Sequence, residues 1–185
     1  MTTIYLVRHA HAEWNRDENR PLSERGRAGA AAVAALLSSS PIDAIYSSPA
    51  RRALETIEGL AHRLQLEPVT EPDLRERELL VEHGTQFEAA VKRSWVAPAS
   101  ASAGSESNEM AQARGLAAIR RILDAHRERH TVVATHGNLL TLILNAFKPT
   151  YGFDFWRALT FPDAYELRFQ EASLVDVRRI WNGAA

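Results

Sequence analysis

A chain of 185 residues, 45% hydrophobic and 24% charged, is long enough for one compact domain with a full core. Its 22 Lys and Arg nearly balance 23 Asp and Glu, and a formal charge of -1 offers no global field to draw in nucleic acid or an anionic membrane, so any anion must be captured locally. The absence of cysteine removes disulfides, thiolate metal sites and cysteine nucleophiles together, which leaves histidine as the nucleophile of interest.

Thr3 to Val7 is a short β-branched and aromatic run, the pattern of a strand buried on both faces, and it delivers Arg8 and His9 at its carboxyl end. The run is too short for a signal-peptide core, and no later one reaches the roughly 18 apolar residues of a membrane span, so the chain reads as a cytoplasmic protein. After a polar loop containing Trp14 and Asn15, Ser23 can cap a helix whose Ala- and Leu-rich part spans 28–37. Ile42 to Tyr46 is a second strand. Behind it Ser48 fits a helix N-cap and Pro49 the first helical position, which places Arg51 and Arg52 in the first turn of a helix running to about Leu66.

An extended segment is expected over 68–74, then the charged stretch Arg75-Glu76-Arg77-Glu78, a helix over 87–96 and a small, Pro- and Gly-punctuated loop over 97–105. From Ser107 to Arg129 an apolar stripe of Met110, Ala113, Leu116, Ala117, Ile119 and Leu123 predicts a packing helix with Arg114, Arg121 and Asp124 pointing elsewhere. Thr131 to Thr135 is a third buried strand that ends in His136-Gly137-Asn138 and feeds a helix over 139–147, and a terminal hairpin turns around Gln170-Glu171. The alternation of strands and helices predicts an α/β three-layer sandwich: a mostly parallel central sheet, helices on both faces and an antiparallel edge, in one domain over 1–185. Irregular composition marks about 79–104 as a lid or insert, in which Lys92, Arg93 and Trp95 are candidates to reach the pocket.

Ligands of such sheets collect at the carboxyl ends of the strands, and three of those ends carry Arg8-His9, Ser47 through Arg52, and His136. Guanidinium forks match phosphate oxygens and need no metal, so the expected guest is phosphate. The strings Leu6-Val7-Arg8-His9-Ala10, Glu13-Trp14-Asn15, Pro21-Leu22-Ser23-Glu24-Arg25-Gly26, Ser47-Ser48-Pro49-Ala50-Arg51-Arg52-Ala53, Asp73-Leu74-Arg75-Glu76, Gly104-Ser105-Glu106-Ser107 and Ala134-Thr135-His136-Gly137, in this order, resemble the histidine phosphatase superfamily, also called phosphoglycerate-mutase-like. The resemblance implies a nucleophilic His9 that becomes a phosphohistidine, with Arg8, Arg52 and His136 holding the phosphate oxygens and Glu76 as the proton donor. It implies no metal and no cofactor, and a small phosphorylated substrate or a phosphoprotein as the partner. Asn15 is assigned to substrate contact, with a loop-capping hydrogen bond as its competing role.

The chain departs from the family pattern at Ala10, where glycine is more usual, at His11, where Glu, Gln or Asp is often found, and after Glu76, where Glu78 and Glu82 remain rival donors. Arg51 reads as a solvated or ion-paired neighbour of Arg52, and His62, His83, His126 and His130 as surface or loop histidines. Trp95, Trp156 and Trp181 read as packing residues. Phosphate-monoester hydrolysis is the expected activity. A mutase, a non-catalytic phosphate- or partner-binding member of the family, and a metal-dependent hydrolase using His9, His11 and His136 are the alternatives.

Overall fold

In chain order the elements are β1 (Thr2–Arg8), α1 (Glu24–Leu37), β2 (Ala44–Ser47), α2 (Arg51–Leu64), β3 (Val69–Thr70), a 3-10 turn at Pro72–Leu74, α3 (Thr85–Val96), α4 (Asn108–Ala125), β4 (His130–Thr135), α5 (Gly137–Phe147), α6 (Phe153–Ala158), β5 (Asp163–Gln170) and β6 (Ser173–Arg179). They are seen in a computed structural model that describes residues 1–15, 17, 19–80 and 85–183. The strands form one sheet in the order β3-β2-β4-β1-β5-β6, parallel from β3 to β1 and antiparallel across β5 and β6.

β1 is buried at all seven positions because it lies inside the sheet with a layer of helices on each face. Tyr5 and Val7 face the layer of α1 and α2, where Val33, Leu37, Ile57 and Leu60 complete the core. Ile4 and Leu6 face the other layer, against Ile119 and Ile122 of α4 and Leu139, Leu140 and Ile143 of α5. The expected three-layer α/β architecture with its antiparallel edge is therefore the one observed. Register then sets the level of the strand ends. Arg8 lies opposite Thr135 and Ser47 opposite Ala134, so the residues that follow emerge side by side. His9 N–H and Ser48 N–H carry the ladder one step further, to the carbonyls of Thr135 and Ala134, both at 2.9 Å.

Several local expectations change. Ser23 does cap α1, accepting from Gly26 N–H. Ser48 is not the N-cap of α2, which begins at Arg51 behind an Ala50 N-cap without a side-chain bond; its hydroxyl accepts from Ala50 N–H at 3.3 Å and meets His136 Nε2 at 2.7 Å. The extended segment at 68–74 shrinks to the two residues of β3 and the 3-10 turn. The buried face of α4 is Ala111, Gly115, Ala118, Ile119, Ile122 and Leu123, shifted from the expected stripe, and Met110 is 61% exposed. α6 was not anticipated, since six residues are too few to show a helical period.

The excursion at 79–104 leaves and returns at one place, where Glu106 N–H donates to the Glu78 carbonyl at 2.8 Å and Leu80 N–H to the Ser105 hydroxyl at 3.1 Å. Trp181 is a core residue, and Trp95 and Trp156 pack partly buried against the core, as expected. His126 bonds the Tyr46 hydroxyl at 3.0 Å and His130 lies 3.4 Å from that of Tyr5, His62 is exposed, and His83 lies outside the described residues. No helix among the described residues is long and apolar enough to cross a membrane.

Candidate active site

A cavity of about 1040 Å³ opens at the carboxyl ends of β1, β2 and β4, with Arg8, His9, Arg52 and His136 in its lining and each of the four buried. The His9 ring sits 5.1 Å from that of His136 and 5.4 Å from that of Phe161. Its Nδ1 lies 2.7 Å from the Ala10 carbonyl oxygen, which can only accept. The proton is therefore on Nδ1, and the lone pair is on Nε2. Ala10 N–H in turn donates to the Thr56 hydroxyl at 2.9 Å, and that hydroxyl donates to the Arg52 carbonyl at 2.6 Å, which ties the His9 loop to α2.

His136 is fixed by the same logic. Arg52 Nη2 donates to its Nδ1 at 3.3 Å, which leaves Nε2–H to donate to the Ser48 hydroxyl at 2.7 Å. Arg8 donates through Nη1 to the carbonyls of Leu159 and Thr160, at 3.0 and 3.3 Å, and its guanidinium lies 3.3 Å from the Phe161 ring centroid. Gly137 closes the other side: a Cβ there would stand 3.1 Å from three atoms of that guanidinium. Burial draws the Arg8 pKa down to about 10, against the pull of Glu76, Asp163 and Tyr165, so the group remains a cation at neutral pH. Arg51 turns away and pairs with Glu55 at 2.6 Å on the helix surface.

Burial, and next the Arg52 guanidinium, hold the His9 imidazole well below its ordinary value, and burial followed by the charge of His9 and of Arg52 does the same to His136. Both rings are therefore neutral near pH 7. The unfolded chain takes up these two protons near pH 6.5 and the folded protein only well below it, so between the two values the unfolded state holds more protons. The stability they contribute is complete above about pH 6.5 and is lost as pH falls below it. A thermal-unfolding series from about pH 7.5 to about pH 5 is expected to show a falling midpoint, flattened in His136→Asn. A midpoint indifferent to pH in the parent protein would show that the folded protein protonates both rings freely.

Glu76 reaches the cavity at the N-terminus of α5. Its Oε1 accepts from Arg77 N–H at 2.8 Å and Leu139 N–H at 3.0 Å, and its Oε2 from Asn138 N–H at 3.1 Å. Oε2, with one bond against two, is the oxygen with room for a proton. Of the rivals, Glu78 lines the same cavity with an exposed side chain, and Glu82 lies outside the described residues. The segment carrying Glu76 is gripped from α4. Arg114 donates to the carbonyls of Asp73, Arg75 and Glu76 at 2.7, 2.9 and 3.2 Å and forms a two-pronged pair with Glu106, 2.6 Å on each prong. Two helical turns on, Arg121 holds Glu71 at 3.1 Å and Asp73 at 2.7 Å. Burial pushes the Glu106 carboxyl up more than any one partner lowers it, but the bond and charge of Arg114, with the charge of Arg75, together outweigh it and hold the group below its ordinary value.

Asn15 stands exposed at the cavity mouth, where its side-chain oxygen accepts from Asp17 N–H at 2.8 Å, so the loop-capping bond exists alongside its place in the lining. His11 also lines the mouth, its Nδ1 2.7 Å from the Ser23 hydroxyl. Lys92, Arg93 and Trp95 are absent from the lining, to which the excursion contributes Leu79, Leu80 and Phe87. Among the described residues no group of three or more His, Asp or Glu side chains is arranged to hold a metal, so His9, His11 and His136 do not converge as ligands. Sequence reasoning missed Ser48 and Thr56 as supports of the two rings, Phe161 as the stacking partner of Arg8, and Arg114 as the clasp on the Glu76 segment. Only the Ser48 and Thr56 hydroxyls, near a buried histidine pair, left a trace that could have been followed.

Residues 4–171 match the sequence profile of the histidine phosphatase superfamily, branch 1. Phosphoglycerate mutase-like protein 4 of Arabidopsis thaliana is 32% identical over 164 residues, covering 80% of this chain and 71% of that protein. The metal-independent phosphoserine phosphatase of the same plant is 31% identical over 164 residues, covering 77% and 67%. Other curated relatives match over stretches of 63 to 90 residues, at most 41% of their own length. Among solved structures, the Bacillus stearothermophilus protein YhfR has a TM-score of 0.78 at 25% identity over 95% of each chain.

Proposed function

The chain belongs to the histidine phosphatase superfamily, and on that premise we propose that it hydrolyses phosphate monoesters through a phosphohistidine on His9, without a metal. The observation that carries this reading is the His9 imidazole itself: neutral, buried, its proton parked on the Ala10 carbonyl, and its Nε2 lone pair in a cavity shared with two arginines. Nε2 attacks phosphorus as the ester P–O bond breaks, and Arg8, Arg52 and His136 hold the non-bridging oxygens. Glu76 gives its proton to the departing alkoxide, then takes one from the water that attacks the phosphohistidine and frees His9. Asn15, with Leu79, Leu80 and Phe87 of the excursion, faces the leaving group from the mouth.

Chelator-treated protein incubated with a panel of monoesters is expected to release inorganic phosphate and to yield an acid-labile, base-stable phosphoenzyme. Release that stops in EDTA and returns with a divalent cation would overturn the metal-free route. The mutase-like relative favours one second reading, transfer of the phosphate to another hydroxyl of the substrate. An isomeric phosphoester accumulating in place of free phosphate would establish it.

The donor role of Glu76 has its own signature. An aryl leaving group departs without a proton and an alkyl one does not, so Glu76→Gln is expected to slow alkyl phosphates by about 100-fold or more and aryl phosphates by about tenfold or less. Equal losses on the two ester classes would move the role to Glu78 or Glu82.

A further inference from the structure

The turn between α6 and β5 carries the two carbonyls on which Arg8 rests, and it is tied down from the edge strand of the sheet. Asp163, at the start of β5, is fully buried and lies opposite Arg8 in the register of β1 and β5. Its Oδ2 accepts from Thr160 N–H and its Oδ1 from Ala164 N–H, both at 3.0 Å. Arg179 of β6, its side chain half-exposed, closes on this carboxylate as a fork, with Nε 2.8 Å from Oδ1 and Nη2 3.1 Å from Oδ2. The same Nη2 reaches the Thr160 hydroxyl at 3.2 Å, and that hydroxyl donates to the Pro162 carbonyl at 2.6 Å, so the turn is braced along its length.

The connection to Arg8 runs through one peptide unit. Thr160 N–H, which meets Asp163, and the Leu159 carbonyl, which accepts from Arg8 Nη1 at 3.0 Å, lie in the same plane and, in the trans form, point in opposite directions. A carboxylate that fixes the N–H therefore fixes the direction of the carbonyl and polarises it as an acceptor. The charge of Asp163 also acts on Arg8 directly, second to that of Glu76. Without a cation of its own, a buried carboxylate opposite Arg8 would compete with a bound phosphate for the same guanidinium, and the fork of Arg179 satisfies it from the other side.

We infer that Arg179 is a positioning residue for the phosphate grip: through Asp163 and the 159–160 peptide it holds Arg8 in place and leaves its charge to the ligand. The inference rests on the phosphatase reading only for the role of Arg8 as a phosphate ligand, and its test reads binding instead of turnover. Arg179→Met is expected to weaken the affinity for inorganic phosphate, measured by calorimetry, by about five- to tenfold, a part of the roughly 10- to 100-fold that a charge-assisted bond carries when made to the ligand itself. Arg179→Lys, which keeps the charge and loses the fork, is expected to fall in between.

Arg178 supplies the control. One residue earlier on β6, it forms an ion pair of the same sheet edge, but with Glu166 of β5, at 2.6 Å, and not with the turn at 159–163. Arg178→Met is expected to leave the phosphate affinity within about twofold of the parent. A merely structural role for Arg179 would lower the unfolding midpoint and leave the affinity of the folded protein unchanged; that result, or equal losses in the two variants, would overturn the inference. Arg8→Met removes the group through which Arg179 acts, so adding Arg179→Met to it is expected to cost less than about twofold more. A further loss as large as in the parent would show that Arg179 acts elsewhere. A parent protein that binds no phosphate would overturn both readings, whereas the expected affinities without phosphate release would count against the phosphatase reading alone.

Discussion

His9→Ala is expected to lower phosphate release by at least about 10⁴-fold and to abolish the trapped phosphoenzyme, because in the proposed mechanism it removes the atom that bonds to phosphorus. The rest of the cavity should survive the change. Arg8 is anchored on the Leu159 and Thr160 carbonyls and Arg52 on α2, none of which touches the His9 ring, although the Phe161 and His136 rings beside them do pack on it. The variant is therefore expected to bind inorganic phosphate or vanadate with near-parent affinity, measurable by calorimetry, while it fails to turn over. Loss of binding together with activity would mean that His9 organises the cation cluster. Residual activity within tenfold of the parent would transfer the nucleophile to another group.

A second large effect concerns stability and arises from a glycine in a helix. By intrinsic propensity alone, Gly26→Ala in α1 should stabilise the protein by about 0.5–1 kcal/mol. The structure reverses the sign. A Cβ on Gly26 would sit 1.9 Å from the His11 carbonyl oxygen, and that carbonyl is held in place by Ser23 N–H at 3.0 Å. The obstacle is backbone rather than the tip of a flexible side chain, so either α1 or the segment from His9 to His11 must shift. A loss of about 3 kcal/mol, the upper range for overpacking, is expected in chemical denaturation, with a fall in activity as His9 is displaced.

Gly59→Ala in α2 is the internal control. The nearest atom to its new Cβ is the Ala34 Cβ at 3.8 Å, an ordinary contact, so it should gain about 0.5–1 kcal/mol. If the two substitutions behave alike, the tight crossing at Gly26 does not govern stability.

The strand ends were legible in the sequence because a buried parallel strand is an uninterrupted apolar run, and whatever follows it stands at the sheet edge. That rule places Arg8, His9, the Arg51-Arg52 pair and His136 at one edge, and the family resemblance selects Arg52 from the pair. Ser48 was misread for an equally physical reason. A Ser before Pro at a helix start fits the chemistry of an N-cap, and only the tertiary fold shows that its hydroxyl serves an imidazole 88 residues on. The α4 stripe was shifted because hydropathy undervalues small residues. Gly115 packs tightly against α5, where a Cβ would stand 2.8 Å from Leu139 Cδ1, yet it adds nothing to an apolar count. Arg77 sits in a charged stretch that resembles a solvated face and Arg114 off the apolar stripe of α4, and the burial of the one and the bonds of the other depend on how α4 crosses the segment from Glu71 to Glu78.

The place of β1 in the sheet has a consequence for how the protein is made. It is the first of these six strands in chain order, yet it lies between β4 and β5, both drawn from the last third of the 185 residues. Until the ribosome has delivered residues as far as Thr135 both edges of β1 are without their native neighbours, and the β5 edge stays open until about Gln170. Pairings this distant in sequence form slowly, and an unpaired apolar strand invites association with other chains. Regained activity after dilution from denaturant should therefore track completion of the whole fold and rise more steeply as protein concentration is lowered.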